Sequence, residues 1–142
     1  MKKNLLTFLM LTCLFNIGYS QSIHIIDLSA LTAVYADETD LTNDSLDLIV
    51  SFKLKEFDLA TQVNFMFGSI QNEGNILTQT ANIVFENDSY FLNYANQTNK
   101  IENYTTTCSI RLSNQQYVNY QTLTLVVTGQ NGEQSNTLYW NK

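Results

Sequence analysis

The chain has 142 residues, enough for one domain of ordinary size, and 13 acidic residues against 7 basic ones give it a net charge of −6. The basic residues are few and scattered, so they form no cationic stripe along which a phosphate backbone could bind. Nucleic-acid binding is therefore disfavoured, and so is attraction to an anionic membrane surface.

The first twenty residues predict a secretory signal peptide. A short basic start precedes the apolar run Leu5–Phe15, and Gly18 and Ser20 occupy the two positions where signal peptidase requires small side chains. The apolar run is about half as long as the roughly 20 residues of a membrane span. We expect residues 1–20 to be cleaved, so that residues 21–142 work in the periplasm or outside the cell without membrane insertion. Because both N-terminal lysines are lost, the net charge would become about −8.

Strands are the dominant prediction for the rest of the chain. One or two are expected within residues 22–36, and the clearest follows at Leu46–Lys55, where apolar residues alternate with mostly polar ones. This period of two is typical of a half-buried strand. Three further strands are predicted in chain order at Gln62–Ile70, Ile76–Phe85 and Tyr90–Tyr94. In the second of these, alternation places Ala81, Ile83 and Phe85 on the inward face.

The middle of the chain continues this pattern after an interruption. Residues 95–100 are polar and predict a loop, and alternation returns at Tyr104–Leu112. Cys108 within this run is the one cysteine left after signal cleavage, so no internal disulfide is expected. We interpret its thiol as a buried small hydrophobe. Residues 113–116 predict a turn before the next strand.

The C-terminal segment predicts a hairpin. An alternating strand leads to Asn131-Gly132, a pair that tolerates the positive φ of tight hairpin turns. In the last strand Leu138 and Trp140 share the inward face and Tyr139 points outward. Leu123–Asn136 resembles the final hairpin of Ig-like and fibronectin type III-like domains, in which an alternating strand, a glycine-containing turn and a Ser- or Asn-led edge strand end the sandwich. The resemblance implies an Ig-like architecture.

The fold prediction is an all-β chain: an Ig-like antiparallel β-sandwich of seven to nine strands after a cleaved signal peptide. Short strands at roughly ten-residue spacing, with no helical periodicity after the signal peptide, are typical of sandwiches and barrels. No linker and no internal repeat divides residues 21–142, so a single domain is expected.

Residues that could carry chemistry are few. His24, the only histidine, is expected to be an exposed strand residue, and without clusters of His and Cys no zinc site is expected. The acidic residues within 37–47 predict a solvated loop, with calcium binding left open. Glu56 and Asp58 are interpreted as turn residues rather than as a glycosidase pair. We therefore predict no catalytic residue, no metal site and no cofactor, and a protein that is not an enzyme.

Three functions follow from the sequence as hypotheses. The first is a secreted, non-catalytic Ig-like module that binds a protein partner, as an adhesion, assembly or accessory factor, with Tyr139 as a contact on a sheet edge or a sandwich face. The second is a small carbohydrate-binding module that uses exposed tyrosines, Tyr90 and Tyr94. The third is a periplasmic chaperone or inhibitor that masks strand edges on a client, which edges without proline would permit. The oligomeric state is left open.

Overall fold

The computed structural model describes residues 22–35, 45–69 and 74–142. The predicted signal peptide and the acidic residues at positions 37–44 lie outside these described residues. Within the three described ranges, no helix has the length and the apolar character needed to cross a membrane.

Strands dominate these residues, which confirms the all-β prediction. Nine strands occur in the described part of the chain, at the upper end of the predicted range. In chain order they are β1 (His24–Tyr35), β2 (Ser45–Lys55), β3 (Ala60–Ser69), β4 (Gly74–Glu86), β5 (Ser89–Tyr94), β6 (Gln97–Lys100), β7 (Thr105–Ser113), β8 (Thr122–Gly129) and β9 (Leu138–Asn141). A 3-10 turn at Phe57–Leu59 joins β2 to β3, and a short helix, α1 (Asn114–Asn119), joins β7 to β8.

The strands form two antiparallel sheets. One has three strands in the order β1-β2-β7, and the other has six in the order β6-β5-β4-β3-β8-β9. All neighbouring strands run antiparallel. The chain crosses between the sheets after β2, after β6 and after β7. The two sheets pack face to face, as the sandwich prediction requires.

The core lies between the sheets, where alternate residues of the facing strands are buried. They include Leu48, Val50, Phe52 and Leu54 of β2, Cys108, Ile110 and Leu112 of β7, Val63, Phe65 and Phe67 of β3, and Leu123, Leu125 and Val127 of β8. Phe52 and Phe65 meet edge to face across the two sheets, with ring centroids 5.9 Å apart. Because burying a side chain of this size stabilises a fold by about 1.5–3 kcal/mol, the pair ties the sheets together.

Three predictions about single residues are confirmed by these elements. Cys108 is 2% exposed, and burial raises the pKa of its thiol to about 12, so it packs as a small neutral hydrophobe. His24 is exposed on β1. On β9, Leu138 and Trp140 pack against the core, whereas Tyr139 points outward and is 69% exposed.

The prediction of a loop at residues 95–100 is wrong, because Gln97–Lys100 form β6. These four residues are all polar, so no apolar alternation marks them as a strand. The strand is held instead by tertiary contacts. It pairs with β5, and the Gln97 side chain bonds the backbone of Ser109 in the other sheet.

The prediction of a turn at residues 113–116 is also wrong, because α1 starts there. Ser113 Oγ accepts a hydrogen bond from the Gln116 N–H at 3.1 Å, and the Gln116 side chain accepts one from the Ser113 N–H at 2.9 Å. This reciprocal capping box satisfies two backbone donors at the start of the helix. The Ser-x-x-Gln pattern was readable in the sequence, but α1 has six residues and is too short to show helical periodicity.

Two aromatic side chains at strand ends are exposed, and one of them, Phe85, was predicted to face the core. Along β4 the exposed fraction rises from 0% at Ala81 through 8% at Ile83 to 58% at Phe85. Phe85 stands near the end of its strand, and the three-stranded sheet is too narrow to cover the whole six-stranded one. Tyr104, the first residue of the predicted alternation, is 52% exposed because β7 begins only at Thr105.

Candidate functional site

The outer face of the six-stranded sheet, called the neutral face below, carries no formal charge on its central strands. Its outward-pointing side chains are amides, hydroxyls and a few apolar groups: Gln62, Asn64 and Met66 of β3, Thr78, Thr80, Asn82 and Val84 of β4, Phe91 and Asn93 of β5, Thr122, Thr124, Val126 and Thr128 of β8, and Tyr139 of β9. Glu86 and Lys100 lie at its margins. The chain has 13 acidic residues, but apart from Glu86 at its margin the central strands of this broad surface carry none of them. A charged partner would therefore not be repelled there.

Side-chain hydrogen bonds link adjacent strands across the neutral face. Thr80 Oγ1 donates to Asn64 Oδ1 at 2.9 Å, and Asn64 Nδ2 donates to Thr128 Oγ1 at 3.4 Å. The three residues belong to β4, β3 and β8. Because these side chains are already held in place, they lose little rotamer freedom when a partner covers them.

Tyr139 stands at one side of the neutral face, opposite Thr124 in the register of β8 and β9. Its neighbours Leu138 and Trp140 pack against the core, which fixes the backbone from which the ring projects. An exposed tyrosine offers a large contact area with few rotatable bonds, so it is a common anchor in interfaces. The structure therefore leaves this sequence-predicted contact accessible to a partner.

The outer face of the three-stranded sheet, called the charged face below, has the opposite character. Arg111 on β7 lies opposite Asp47 on β2 and donates two hydrogen bonds to its carboxylate, at 3.1 and 3.3 Å. These hydrogen bonds raise the pKa of Arg111. Asp27 on β1 likewise lies opposite Lys53 on β2. Opposite charges that face each other across strands favour the observed register, and charged sheet surfaces discourage association.

Two amide side chains close the sides of the sandwich. The Asn136 side chain accepts from the Ile25 N–H at 2.8 Å and donates to the Ile25 carbonyl at 3.0 Å. On the other side, Gln97 accepts from the Ser109 N–H at 2.9 Å and donates to the Ser109 carbonyl at 2.7 Å. Each amide occupies the place of a neighbouring strand beside β1 or β7. The outermost strands of the larger sheet, β6 and β9, have four residues each, a length that limits further pairing.

Four aromatic residues form a chain at the end of the sandwich where β2 ends and β5 begins. The ring centroids are 4.7 Å apart for Phe85 and Tyr90, 4.8 Å for Tyr90 and Phe57, and 5.7 Å for Phe57 and Tyr104. Among them, only Tyr90 was predicted from the sequence as a ligand contact. Phe85 lies on β4, Phe57 lies between β2 and β3, and Tyr104 lies between β6 and β7, so only the tertiary fold brings the four rings together.

The two tyrosines of the carbohydrate hypothesis face inward rather than outward. Tyr90 and Tyr94 flank the buried Leu92 on β5 and pack against the core. Both are half-buried, so the exposure that the hypothesis assigned to them is not found. Burial raises the pKa of Tyr94. The two residues also lie in different surroundings, because Tyr90 belongs to the aromatic chain whereas Tyr94 lies beside Asp47 and Arg111.

A cavity of about 280 Å³ adjoins Tyr94, next to Gln97 and to the paired Asp47 and Arg111. Its charged groups and its Gln97 amide are already engaged, since Asp47 and Arg111 bond each other and Gln97 bonds the Ser109 backbone. The other polar side chains that line it, Tyr94, Asn96 and Ser109, are uncharged.

A second cavity, called the end cavity below, opens beside the aromatic chain and has a volume of about 270 Å³. It is lined by Lys55, Glu56, Phe57, Asp58, Tyr90 and Tyr104. Glu56 and Asp58 lie where β2 turns into β3, as the sequence predicted, and Glu56 has a left-handed φ of 59°. The cavity combines aromatic rings with two carboxylates and one ammonium group.

Tyr104 occupies a tight turn that normally takes Asn or Gly. Glu102 and Thr105 exchange backbone hydrogen bonds at 2.9 and 2.8 Å, and Asn103 and Tyr104 between them have φ of 49° and 66°. Positive φ at both central residues defines this type of two-residue hairpin. A bulky residue in this conformation costs about 1–2 kcal/mol. The Tyr104 carbonyl accepts from the Leu54 N–H at 2.8 Å, which fixes the turn against β2.

Comparisons with known proteins identify no relative of this chain. No protein-family model, no curated protein and no solved structure matches it. In the part of the chain that the structure describes, no three His, Cys, Asp or Glu side chains come together as a metal site would require. The binding properties of the protein must therefore be inferred from its own surfaces.

Proposed function

We propose that the protein is an exported, non-catalytic Ig-like module that binds a protein partner through the neutral face. The observation that carries the proposal is the separation of charge between the two outer faces. The centres of protein interfaces are depleted of charged residues and enriched in tyrosine. The central strands of the neutral face carry no charge inside its margins, and an exposed tyrosine, Tyr139, stands at its side. The charged face, where Asp47 pairs with Arg111, has the composition of a solvated surface.

The size of the neutral face suits a protein partner. Neighbouring strands lie about 4.8 Å apart, and each residue adds about 3.4 Å along a strand. The six strands differ in length, from four residues in β6 and β9 to 13 in β4, and together present a face of roughly 700–800 Å². A standard protein–protein interface covers about 800 Å² on each partner, so the face is large enough for one.

The strand order supports the Ig-like part of the proposal. Ig domains of the variable type place strands A, B, E and D in one sheet and G, F, C, C′ and C″ in the other. With β1, β2 and β7 as A, B and E, the strands β3, β4 and β5 become C, C′ and C″, and β8 and β9 become F and G. The strand at the chain position of D, β6, departs from this pattern because it pairs with β5 in the larger sheet. Ig domains also carry a tyrosine near the start of strand F. Here Tyr120 precedes β8, is buried, and contacts Phe67 at 5.4 Å between ring centroids.

Binding by edge-strand pairing has less support than binding by a face. Asn136 already bonds both backbone groups of Ile25 on β1, and Gln97 already bonds both backbone groups of Ser109 on β7. The remaining outer strands, β6 and β9, are short. The same contacts weigh against a chaperone or inhibitor that masks the strand edges of a client, since such a protein needs an open edge of its own.

The test is a pair of matched threonine-to-lysine substitutions. Thr78 and Thr107 are both exposed strand residues, but Thr78 lies on the neutral face and Thr107 on the charged face. A partner is captured from the native cell envelope with the purified protein, isolated, and its Kd measured for each variant. A charge buried in an interface is costly to desolvate, so Thr78→Lys is expected to weaken binding by about tenfold or more. Thr107→Lys is expected to leave Kd unchanged.

Tyr139→Ala gives an independent check on the anchor. Truncation of an anchoring tyrosine in an interface costs about 2 kcal/mol, which corresponds to a Kd raised roughly thirtyfold. The unfolding midpoint of each variant verifies that the fold is intact. A partner whose Kd is the same for Thr78→Lys, or that responds equally to Thr107→Lys, would contradict the proposal. Recovery of no partner by the folded protein would count against it as well.

A carbohydrate-binding function is favoured by a different observation, the end cavity. Of the two tyrosines that the sequence assigned to this function, Tyr90 lines the end cavity and Tyr94 does not. The protein-binding and sugar-binding functions use different surfaces, so substitutions on one surface leave the other intact.

A further inference from the structure

We propose that the end cavity is a binding site for a neutral, polyhydroxylated ligand the size of one sugar ring. The residues that line it are Lys55, Glu56, Phe57, Asp58, Tyr90 and Tyr104, and none of them belongs to the neutral face. The site and its ligand class are therefore independent of the proposed protein-binding function.

Aromatic rings supply the apolar part of the site. Phe57 stands edge-on to Tyr90 and to Tyr104, at 81° and 64° between ring planes, so the three rings that line this open cavity face in different directions. The exposed part of the Tyr104 ring is a surface on which the C–H groups of a sugar ring can pack. The tyrosine hydroxyls add groups that both donate and accept hydrogen bonds.

The polar groups of the end cavity match hydroxyl groups better than a charged ligand. The carboxylates of Glu56 and Asp58 accept hydrogen bonds and the ammonium group of Lys55 donates them, and a sugar hydroxyl does both. An anion would be repelled by the two carboxylates, and a cation would be attracted to them only against the repulsion of Lys55, whereas a neutral hydroxyl group is repelled by none of the three. Among the described residues, no side-chain partner engages these three groups. Their hydrogen-bonding capacity is therefore available to a ligand.

The backbone at Tyr104 gives a second, independent reason. Its φ of 66° in a two-residue turn favours Asn or Gly, and a bulky residue there is strained. Residues held in strained conformations cluster at binding sites and other functional positions. The turn thus keeps an aromatic ring at the cavity where folding alone would favour a smaller residue.

The volume of the end cavity sets the size of the ligand. Pockets for small molecules measure roughly 300–1,000 Å³, and the end cavity, at about 270 Å³, has room for a single ring. Phe85, exposed and 4.7 Å from Tyr90, extends the apolar surface beyond the cavity. A second ring of a longer glycan would lie there.

The test is a titration of the purified, isotopically labelled protein with methyl glycosides of glucose, galactose, mannose and N-acetylglucosamine, followed by amide chemical shifts in NMR spectra. At least one glycoside is expected to cause saturable shifts centred on residues 55–58 and on Tyr104. The expected Kd is about 1 mM, because a single ring offers few contacts.

Two variants separate binding from folding. Tyr104→Asn replaces the ring with a residue that the turn favours, so the fold is kept while binding weakens by about tenfold or more. Tyr139→Ala removes an aromatic ring from the neutral face and is the matched control, with glycoside binding expected to be unchanged.

Charged probes test the ligand class at the same residues. Tetramethylammonium or inorganic phosphate that bound the end cavity more tightly than every glycoside would overturn the assignment of a neutral ligand. The proposal would also fail if the whole panel gave no saturable shifts, or if the shifts were unchanged in Tyr104→Asn. None of these outcomes depends on Thr78→Lys or on a protein partner, so failure of this proposal is distinct from failure of the proposed function.

Discussion

The two outer faces of the sandwich share the same strand geometry and differ in their chemistry. On the charged face, Asp47 bonds Arg111 and Asp27 lies opposite Lys53, so these opposite charges face each other across neighbouring strands. On the neutral face, Asn64 bonds Thr80 and Thr128, and the cross-strand contacts are made by uncharged groups. Folding requires only that the inner faces of the two sheets be apolar, so the outer faces are free to differ. This difference is the basis of the proposal that a partner covers the neutral face while water covers the charged face.

The largest expected effect concerns the core that both faces share. Phe65 is fully buried under the neutral face and contacts Phe52, which lies under the charged face. Phe65→Ala is expected to lower the free energy of unfolding by about 3–5 kcal/mol, since it removes apolar contacts and leaves a cavity. Urea unfolding measures the loss. Tyr139→Ala is the surface control, with a change within about 0.5 kcal/mol, and a loss below about 1 kcal/mol for Phe65→Ala would show that the sheets do not share a tight core.

A smaller effect is expected at the edges that separate the two faces. Asn136→Ala leaves the N–H and carbonyl of Ile25 without their partners and is expected to lower the free energy of unfolding by about 1–3 kcal/mol. Gln97→Ala, on the opposite side, should act similarly at Ser109. Sedimentation velocity of Asn136→Ala is expected to reveal self-association through the freed edge of β1. Equal stability and equal sedimentation of Asn136→Ala and of an exposed-loop control, Asn131→Ala, would refute the role of the amide.

At alkaline pH, the stability of the protein depends on two buried groups of the core, Cys108 and Tyr120, rather than on either outer face. Burial raises the pKa of Cys108 from 9.0 to about 12 and that of Tyr120 from 10.0 to about 12. Because the pKa values of both groups are raised in the folded state, folding favours their protonated, neutral forms. Their contribution to the free energy of unfolding is therefore fully present below pH 9 and is lost as the pH rises from about 9 towards 12. For Cys108 the loss reaches about 1 kcal/mol at pH 10. Urea unfolding at pH 8 and pH 10 should show this decline reduced in Cys108→Ala, and an identical decline in both proteins would contradict the assignment.

The smallest effect is expected for the ion pair of the charged face. Asp47→Asn removes an interaction with the exposed Arg111, so the loss of stability should be slight at low salt and absent in about 1 M NaCl, where the Debye length is about 3 Å. Thr124→Val on the neutral face serves as the control, and its effect should not depend on salt. A loss for Asp47→Asn that persisted at high salt would mean that the two faces differ less in their electrostatics than their composition implies.

The alternation of apolar and polar residues correctly predicted the strands that bury one face. It failed where tertiary contacts, rather than the local sequence, determine the secondary structure. The predicted strand at Leu46–Lys55 corresponds to β2, which begins one residue earlier, because burial of one face imposes a period of two. Gln97–Lys100 bury no apolar side chain, so β6 could not be read from its own residues. Asn114–Asn119 needed the capping box at its start to be read as a helix.

The candidate sites were predictable to a smaller extent than the fold. Alternation from Leu138 and Trp140 correctly turned Tyr139 outward. The contact between Phe57 and Tyr104 could not be predicted, because the two residues lie in different connections between strands. The positive φ of Tyr104 also interrupts the alternation that would have placed its ring on the inward face. The neutral face could be identified only from the register of β3, β4 and β8, which sets side by side residues that are far apart in the chain.

The central claim, that a protein partner covers the neutral face, is tested most directly by NMR cross-saturation from the bound partner to methyl groups of this protein. Each face carries its own reporters, Thr124 and Val126 on the neutral face and Ile49 and Thr107 on the charged face. If a partner covers the neutral face, Thr124 and Val126 lose signal while Ile49 and Thr107 keep their intensity. Loss of signal confined to Ile49 and Thr107 would contradict it.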